Sequence, residues 1–513
     1  MSLEEGKSDL LEDTLNASNH FQFEDALRLA TLTIIWHPKR HRIGASAHLL
    51  WDQAGEFELS RWTPQFQYGD NCEYPLDDRR ISRSPVLFRK VSQGIVIHPP
   101  RTGMPVQIGA MHIENPITLE EEALEEGVVF CLGRRITLCL HWAPPRCAES
   151  HKLGLVGSGH QLQRIGKQIR KAAQFNASVL IRGESGTGKE LVAHAIHDLS
   201  SRGGRSMVCV NMATLGGELA VAELFGVRQG AYTGARANRP GLIGEAHGST
   251  LFMDEIGDAQ PPVQAMLLRV LESGTLRALG DSRERNVDVR FIAATDRPLE
   301  AGTTPPFSQP LRRRLEAVCI QLPPLRRRRE DFGELLLKFL VEAECELGQV
   351  IHLPADLVCI LATRSWPGNV RELKNFVTRL TLYVQPDGTL LLGEDLAEYL
   401  QQEFTTEIKP AITATRYPVR YRDPATVSES DLLQALNTSG WRIMPAARTL
   451  GISRTSMYAL LKHSTEIRSA DAIAKEEIQQ VMQEGSDLDA WAEQLKTPRE
   501  GLKRRLNALA LKR

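Results

Sequence analysis

The strongest constraint on the fold is a strand, a glycine loop and a helix written consecutively between residues 177 and 196. The run from Ala177 to Ile181 is mainly apolar and stops, after Arg182, at Gly183, as a buried parallel strand does. Gly183-Glu184-Ser185-Gly186-Thr187-Gly188-Lys189-Glu190 follows, and then Leu191, Val192, Ala195 and Ile196 recur at helical spacing. That order is the context a phosphate cradle requires. Glycines let successive backbone N–H groups turn toward phosphate oxygens, and the helix N-terminus adds its dipole. Lys189 has the length to reach the β- and γ-phosphates as a point charge. The generic pattern carries Ser or Thr after the lysine to hold Mg²⁺; here Glu190 stands there.

Three further segments fit the same domain. Ser249-Thr250-Leu251-Phe252-Met253 is an apolar strand ending in Asp254-Glu255. An acidic pair at a strand's carboxyl end suits a hard cation and an attacking water. Asp254 is assigned to Mg²⁺ through a water, and Glu255 to polarising the hydrolytic water. The run Val289–Ala294 ends in Thr295-Asp296, where a polar group would sense the γ-phosphate. Trp366-Pro367-Gly368-Asn369-Val370-Arg371-Glu372-Leu373 is a turn opening a helix, with Arg371 available to the nucleotide. Gly230-Ala231-Tyr232-Thr233-Gly234-Ala235 is apolar and glycine-hinged, yet flanked by Arg228, Gln229 and Arg236. Such a segment is a poor core element and reads as an exposed loop.

Residues from about 153 to 400 resemble the AAA+ ATPase domain of bacterial enhancer-binding proteins, the activators of sigma-54 RNA polymerase. The glycine loop with Glu190 after the lysine is that family's own form. Glu223-Leu224-Phe225-Gly226 followed by loop 230–235 matches its sigma-contacting insertion, with Tyr232 where Phe is usual. The resemblance implies an α/β part to about residue 325 and an α-helical lid after it, ATP and Mg²⁺ as cofactors, and an ATP site shared between subunits of a hexameric ring. It implies that Asn211 links Glu255 to the sigma-contacting loops. It also implies trans-acting arginines in Phe307–Leu315: Arg314 matches the second, Ser308 occupies the place of the first, and Arg312 and Arg313 lie alongside. Sigma-54 and RNA polymerase would be the partners, with ATP binding raising the loops 230–235 and hydrolysis lowering them.

At 513 residues the chain should hold about three domains. Hydrophobic content of 42% and charged content of 24% are ordinary for globular protein, and no apolar stretch has membrane-spanning length. No signal peptide is expected at the acidic N-terminus, and the 8 cysteines are scattered without a Cys-x-x-Cys pair. The expectation is a cytoplasmic protein with reduced cysteines, no zinc site and no membrane partner.

Residues 404–428 read as a linker. Leu432, Leu433, Ala435 and Leu436 then begin a helix, Pro445–Leu450 gives a second, Gly451-Ile452-Ser453 a turn capped by Ser453, and Arg454–Lys462 a third. Residues 429–465 resemble the Fis-like helix-turn-helix that ends many enhancer-binding proteins, which implies double-stranded enhancer DNA as partner and Arg454, Thr455, Ser456 and Tyr458 as the DNA-facing residues. From 474 to 513 the look repeats and becomes basic, with Lys496, Arg499, Lys503, Arg504, Arg505, Lys512 and Arg513. A second helix-turn-helix and a solvated helical tail both fit it.

Residues 28–142 are short alternating runs separated by turn residues, which reads as an all-β sandwich. Ile81-Ser82-Arg83-Ser84-Pro85 and Leu124–Gly133 look similar to forkhead-associated domains, which bind phosphothreonine proteins through Arg and Ser side chains. Ser82 and Arg83 match that motif and Arg61 stands where its second arginine falls; Pro85 replaces the structural His, and no Asn-Gly match is present. Arg61 and Arg83 as plain surface charges is the competing reading. For the whole chain, an ATP-driven sigma-54 activator is set against a DNA-binding regulator with a silent ATPase acting by occupancy, which Ser308 favours.

Overall fold

The computed structural model describes residues 28–68, 72–100, 103–145, 153–231, 237–302, 306–385, 387–390, 412–413, 427–450, 452, 454–464, 466–484 and 488–509. Tyr232, Thr233, Gly234 and Ala235 of the sigma-contacting loop lie outside the described residues, as do Gly451 and Ser453 and nearly all of the 404–428 linker.

The N-terminal strands are β1 (Leu29–Trp36), β2 (Ser46–His48), β3 (Glu56–Leu59), β4 (Phe66–Tyr68), β5 (Cys72–Tyr74), β6 (Val86–Val91), β7 (Gly94–His98), β8 (Val106–Ile108), β9 (Met111–Ile113) and β10 (Ile117–Glu120). After the short helix α1 (Glu121–Glu126) come β11 (Val128–Leu132) and β12 (Ile136–Ala143). One antiparallel sheet runs β5-β4-β2-β1-β12-β11-β8-β9 and the other carries β10-β7-β6-β3. The all-β sandwich expected from the alternating runs is therefore present. Both faces of its central strands are buried. Leu32, Ile34, Leu138 and Leu140 point into the sandwich core with Phe88 and Phe130, whereas Ile35 and Cys139 join a second core made mostly of helical residues. Period-2 alternation explains the split, because successive side chains leave a strand on opposite faces.

The central domain begins with α2 (His160–Gln174) and β13 (Val179–Arg182), followed by α3 (Lys189–Asp198), β14 (Val208–Asn211), α4 (Gly217–Phe225), α5 (Gly241–Glu245), β15 (Thr250–Asp254) and α6 (Pro261–Ser273). The ribbon β16 (Thr275–Leu276) and β17 (Arg285–Asn286) precedes β18 (Arg290–Thr295), α7 (Gln309–Leu315) and β19 (Val318–Gln321). The five-stranded sheet is parallel throughout, in the order β14-β15-β18-β13-β19. Its central strands are buried on both faces, as parallel strands require: Leu180, Met253 and Ala293 face one core and Val179, Ile181 and Ile292 the other. The lid is α8 (Phe332–Leu347), α9 (Ala355–Ala362) and α10 (Asn369–Leu380). Its core residues Phe332, Leu336, Cys359, Trp366 and Phe376 belong to the same cluster as Ile35, Trp36, Ile43 and Val129 of the sandwich. In the linker, β20 (Ile412–Thr413) pairs with β10 at the edge of the second sandwich sheet.

The C-terminal unit, residues 416–513, separates from the rest by its contacts. It contains α11 (Glu429–Thr438), α12 (Ile443–Leu450), α13 (Arg454–His463), α14 (Lys475–Glu484), α15 (Leu488–Gln494) and α16 (Arg499–Ala508). Ser428 caps α11, its hydroxyl accepting from Asp431 N–H at 3.1 Å. Among the described residues no helix is long and apolar enough to cross a membrane.

Candidate nucleotide site and its lid

The glycine loop leaves β13 and enters α3 as expected. Gly186 (φ +76°) and Gly188 (φ +103°) adopt backbone angles that side chains disfavour. At Gly186 the reason is also steric: a Cβ there would lie 2.3 Å from the Gly368 carbonyl oxygen. Lys189 is buried, and its Nζ donates to the Gly183 carbonyl at 3.0 Å. The same Nζ lies 3.5 Å from Glu255 Oε1. Glu255 holds a left-handed backbone (φ +50°) just after β15, an unusual conformation for a glutamate. Its Oε2 accepts from Asp296 N–H at 3.3 Å. Burial pushes the Glu255 carboxyl up, partly offset by Lys189. Asp254 Oδ1 accepts the Glu255 N–H at 3.0 Å, so the two carboxylates are held on one turn beside the lysine.

Neighbouring strand ends complete the site. Asn211 pairs with Asp254 across β14 and β15, and its Oδ1 accepts Ala213 N–H at 2.9 Å, capping a 3-10 turn. Thr295 is buried at the end of β18; its carbonyl accepts Gly183 N–H at 3.3 Å and its hydroxyl accepts Arg297 N–H at 3.0 Å. Arg371, in the first turn of α10, donates to Ser185 Oγ at 3.1 Å and so reaches the glycine loop from the lid. Thr187 Oγ1 donates back to the Glu184 carbonyl at 2.8 Å, and Glu190 is exposed in the first turn of α3.

The sequence reading missed what holds the loop to the lid. Glu184 accepts from Arg326 Nη1 at 2.8 Å and from Asn369 Nδ2 at 3.1 Å. The Arg326 guanidinium, with help from Asn369, keeps the Glu184 carboxyl below its usual range. Asn369 also donates to the Ser185 carbonyl at 3.0 Å, while its Oδ1 accepts Leu325 N–H at 2.8 Å. Asn369 is fully buried with φ +52°. The signal was in the Trp366–Leu373 turn, where an asparagine is the residue other than glycine that best tolerates this backbone.

Ser308, in the place of an expected arginine, has a structural task. It is the N-cap of α7, its hydroxyl accepting Leu311 N–H at 3.4 Å and its own N–H donating to Gln264 Oε1 at 2.8 Å. Arg312 is engaged with Glu316 at 2.9 Å. Arg313 and Arg314 are exposed on the last turn of α7, Arg314 Nε donating to the Leu271 carbonyl at 3.2 Å.

In the sandwich, Arg61 donates to the Ile81 carbonyl at 2.7 Å and to the Arg79 carbonyl. Its guanidinium pins the loop that carries Ser82 and Arg83. Ser82 Oγ accepts Ser84 N–H at 3.0 Å, and Arg83 is exposed. The sandwich also docks on the lid. Arg40 makes two hydrogen bonds to Glu344, at 2.7 and 2.6 Å, and a third to the Ile351 carbonyl at 2.8 Å. Thr137 Oγ1 donates to the Ala355 carbonyl at 2.8 Å. Gly333 sits so close to β1 that a Cβ would lie 2.1 Å from the Ile35 carbonyl oxygen. Where β12, α2 and the lid meet, buried His141 stacks on His160, and His160 Nδ1 is 3.5 Å from Glu330 Oε1. Burial keeps His141 below its ordinary value, hence neutral.

In the helix-turn-helix, Arg454 and Thr455 open α13, Ser456 is half-buried and Tyr458 is exposed.

Residues 155–321 match the Sigma-54 interaction domain, 326–411 the AAA+ ATPase lid domain, and 430–463 the bacterial regulatory protein, Fis family. The transcriptional regulatory protein ZraR of Salmonella typhimurium is 39% identical over 316 residues, covering 61% of this chain and 69% of that protein. The chain belongs to the sigma-54 enhancer-binding proteins. The Nif-specific regulatory protein of Azotobacter vinelandii is 38% identical over 300 residues, 58% of this chain and 56% of that one. A crystal structure of NtrX from Brucella abortus with ADP aligns at 31% identity over 61% of this chain and 69% of that one, with a TM-score of 0.44. As a member of this family, the chain is a sigma-54-dependent transcriptional activator whose central domain is an ATP-binding AAA+ ATPase and whose Fis-type helix-turn-helix, within residues 430–463, binds DNA.

Proposed function

We propose that this enhancer-binding protein assembles into a hexameric ring, hydrolyses ATP at sites shared between subunits, and uses the cycle to remodel the closed promoter complex of sigma-54 polymerase. The observation that carries the reading is the grouping of Lys189, Asp254 and Glu255 beside the glycine loop, with Glu255 aimed by an unusual backbone and 3.5 Å from the lysine. Residues Gly183 to Glu190 cradle the phosphates, Lys189 neutralises them, and Glu255 polarises the attacking water. Thr295 and Arg371 contact the nucleotide, Asn211 couples Glu255 to the sigma-contacting loop, and Arg314 acts on the neighbouring subunit's ATP. Asp254 supplies, through a water, the hard oxygen donor that Mg²⁺ prefers; the ion, when bound, would neutralise developing phosphate charge. The segment Gly230-Ala231-Tyr232-Thr233-Gly234-Ala235 meets sigma-54. Arg454, Thr455, Ser456 and Tyr458 contact enhancer DNA. The sandwich regulates through the lid, Ser82 and Arg83 presenting a phosphothreonine site whose loop Arg61 shapes.

The test is ATP turnover per subunit across protein concentration for wild type and Glu255→Gln. Turnover that rises with concentration and vanishes in the variant supports shared sites in an assembling ring. Thr233→Ala should retain turnover and lose promoter opening. Absence of turnover at every concentration, with DNA present, would overturn the proposal in favour of a regulator acting by occupancy.

A further inference from the structure

The C-terminal unit contains the same three-helix device twice, 45 residues apart. Ile452 N–H donates to the Ala447 carbonyl at 3.0 Å, and Thr497 N–H donates to the Ala492 carbonyl at 3.0 Å. Each bond closes the turn between a second and a third helix, and the third helices start at Arg454 and Arg499, again 45 apart. The buried positions keep the same offset. Ala447, Ile452 and Met457 are matched by Ala492, Thr497 and Leu502, all nearly inaccessible, and Leu461 is matched by Leu506. The first helices carry the same apolar spacing at an offset of 46, one residue longer: Leu432, Ala435 and Leu436 against Ile478, Val481 and Met482. Lys496 sits in the second turn with φ +44°, at the offset where the first turn has Gly451. Residues 430–463, the first copy, match the Fis family.

The two copies share one hydrophobic core. They are also stitched by Arg499 N–H to the Trp441 carbonyl and Arg468 N–H to the Lys496 carbonyl, both at 2.9 Å. Gly501, lacking a side chain, lets the Ala470–Ala472 turn pack along one flank of α16, where a Cβ would be 3.2 Å from Ala470 Cβ. Exposed residues also recur at the 45-residue offset. Tyr458 and Ala459 of α13 are exposed, and so are Lys503 and Arg504, their counterparts on α16. Over Arg499–Ala508, α16 holds Arg499, Lys503, Arg504 and Arg505 against the single acid Glu500.

We propose that α16 is a second DNA-contacting helix, so that each subunit grips duplex DNA through both α13 and α16, with Lys503 and Arg504 on phosphates. The occupant follows from the geometry shared with the Fis-type half and from the positive charge, the requirement of a polyanion. The inference rests on the reading of α13 as a DNA-contacting helix.

The experiment measures full-chain binding to a random-sequence 40-base-pair duplex pool by fluorescence anisotropy over a range of salt. Each lost phosphate contact lowers the slope of log K against log salt by about 0.9. Lys503→Ala with Arg504→Ala should therefore reduce the slope by roughly 1.8, whereas Lys90→Ala on the sandwich should not change it. Arg454→Ala, in the same assay, separates the two readings. Loss with Arg454→Ala but an unchanged slope for the Lys503/Arg504 variant overturns the second helix alone; no change in either overturns the DNA-facing reading of α13 on which it rests. Lysine footprinting of the unmodified protein removes dependence on variants that fold badly. Duplex should shield the Lys503 amine from reductive methylation, and equal modification with and without DNA refutes the proposal.

Discussion

Arg40→Ala should loosen the sandwich from the lid. The Arg40 and Glu344 side chains are 28% and 12% exposed, so the pair is neither a surface bridge nor fully buried. Breaking a fully buried pair costs about 3–5 kcal/mol, and an exposed one contributes about 0–1. Glu344 keeps one donor after the change, the Ile351 N–H at 2.7 Å, while the Ile351 carbonyl loses its Arg40 bond. The expected cost to the junction is about 2–3 kcal/mol, or roughly 30- to 150-fold in the equilibrium for opening it. Cys359 reports this directly. It is fully buried on α9, with Sγ 3.9 Å from the Gln107 and Val129 carbonyl oxygens of the sandwich. Its modification by a maleimide, followed by peptide mass spectrometry, measures the open fraction when opening is fast and reversible. Cys209, Cys319 and Cys345 are exposed and supply the reference rate. Cys359 labelling should accelerate roughly 30- to 150-fold in Arg40→Ala. Arg89→Ala, which removes a half-exposed pair with Glu56 on the other sheet, should change it by less than about fivefold. Equal Cys359 rates in wild type and Arg40→Ala, or equal acceleration by both variants, would refute the assignment of the junction's strength to Arg40.

Three other outcomes follow from the site. Because burial raises the Glu255 carboxyl, ATP turnover should fall on the acid side at a pH above the ordinary glutamate range, as the base is protonated; a pH–rate profile with its acid limb at the ordinary value contradicts this. Ser308→Ala removes an N-cap and should lower stability by about 1 kcal/mol with turnover intact, whereas Arg314→Ala should leave the melting temperature within a degree or two and abolish turnover in the assembled protein; thermal melts and ATPase assays on both variants decide. Gly186→Ala forces a side chain into a left-handed backbone and against the Gly368 carbonyl, so binding of a fluorescent ATP analogue should weaken at least tenfold, and unchanged binding would show that the loop yields.

What the sequence made legible is what lies close together along the chain. The glycine loop, the Asp254-Glu255 pair and the turn before α10 are each contiguous, and each strand–turn–helix context can be checked locally. The docking of the sandwich is carried by Arg40 with Glu344, Thr137 with Ala355 and Ile35 with Gly333, partners hundreds of residues apart with no local pattern. Arg61 was legible as a charge but not as a loop pin, because its acceptors are backbone carbonyls that a sequence does not distinguish. The 45-residue repeat was blurred by its own substitutions: Ile452 and Thr497 are both buried and close the same turn with different side chains. Non-local contacts also lead from the sandwich to the loop. Ile35, Trp36 and Val129 of the sandwich share one core with Trp366 and Phe376 of the lid and with Leu325 just before it. From that core Asn369 reaches out, bonded to Leu325 N–H on one side and to Glu184 and the Ser185 carbonyl on the other. Arg371, two residues on, holds Ser185 Oγ. The sandwich core and the phosphate loop are thus joined by contiguous contacts in which Asn369 takes part beside Arg326 and Arg371. Substituting Asn369 should uncouple the sandwich from the ATPase even where both remain folded.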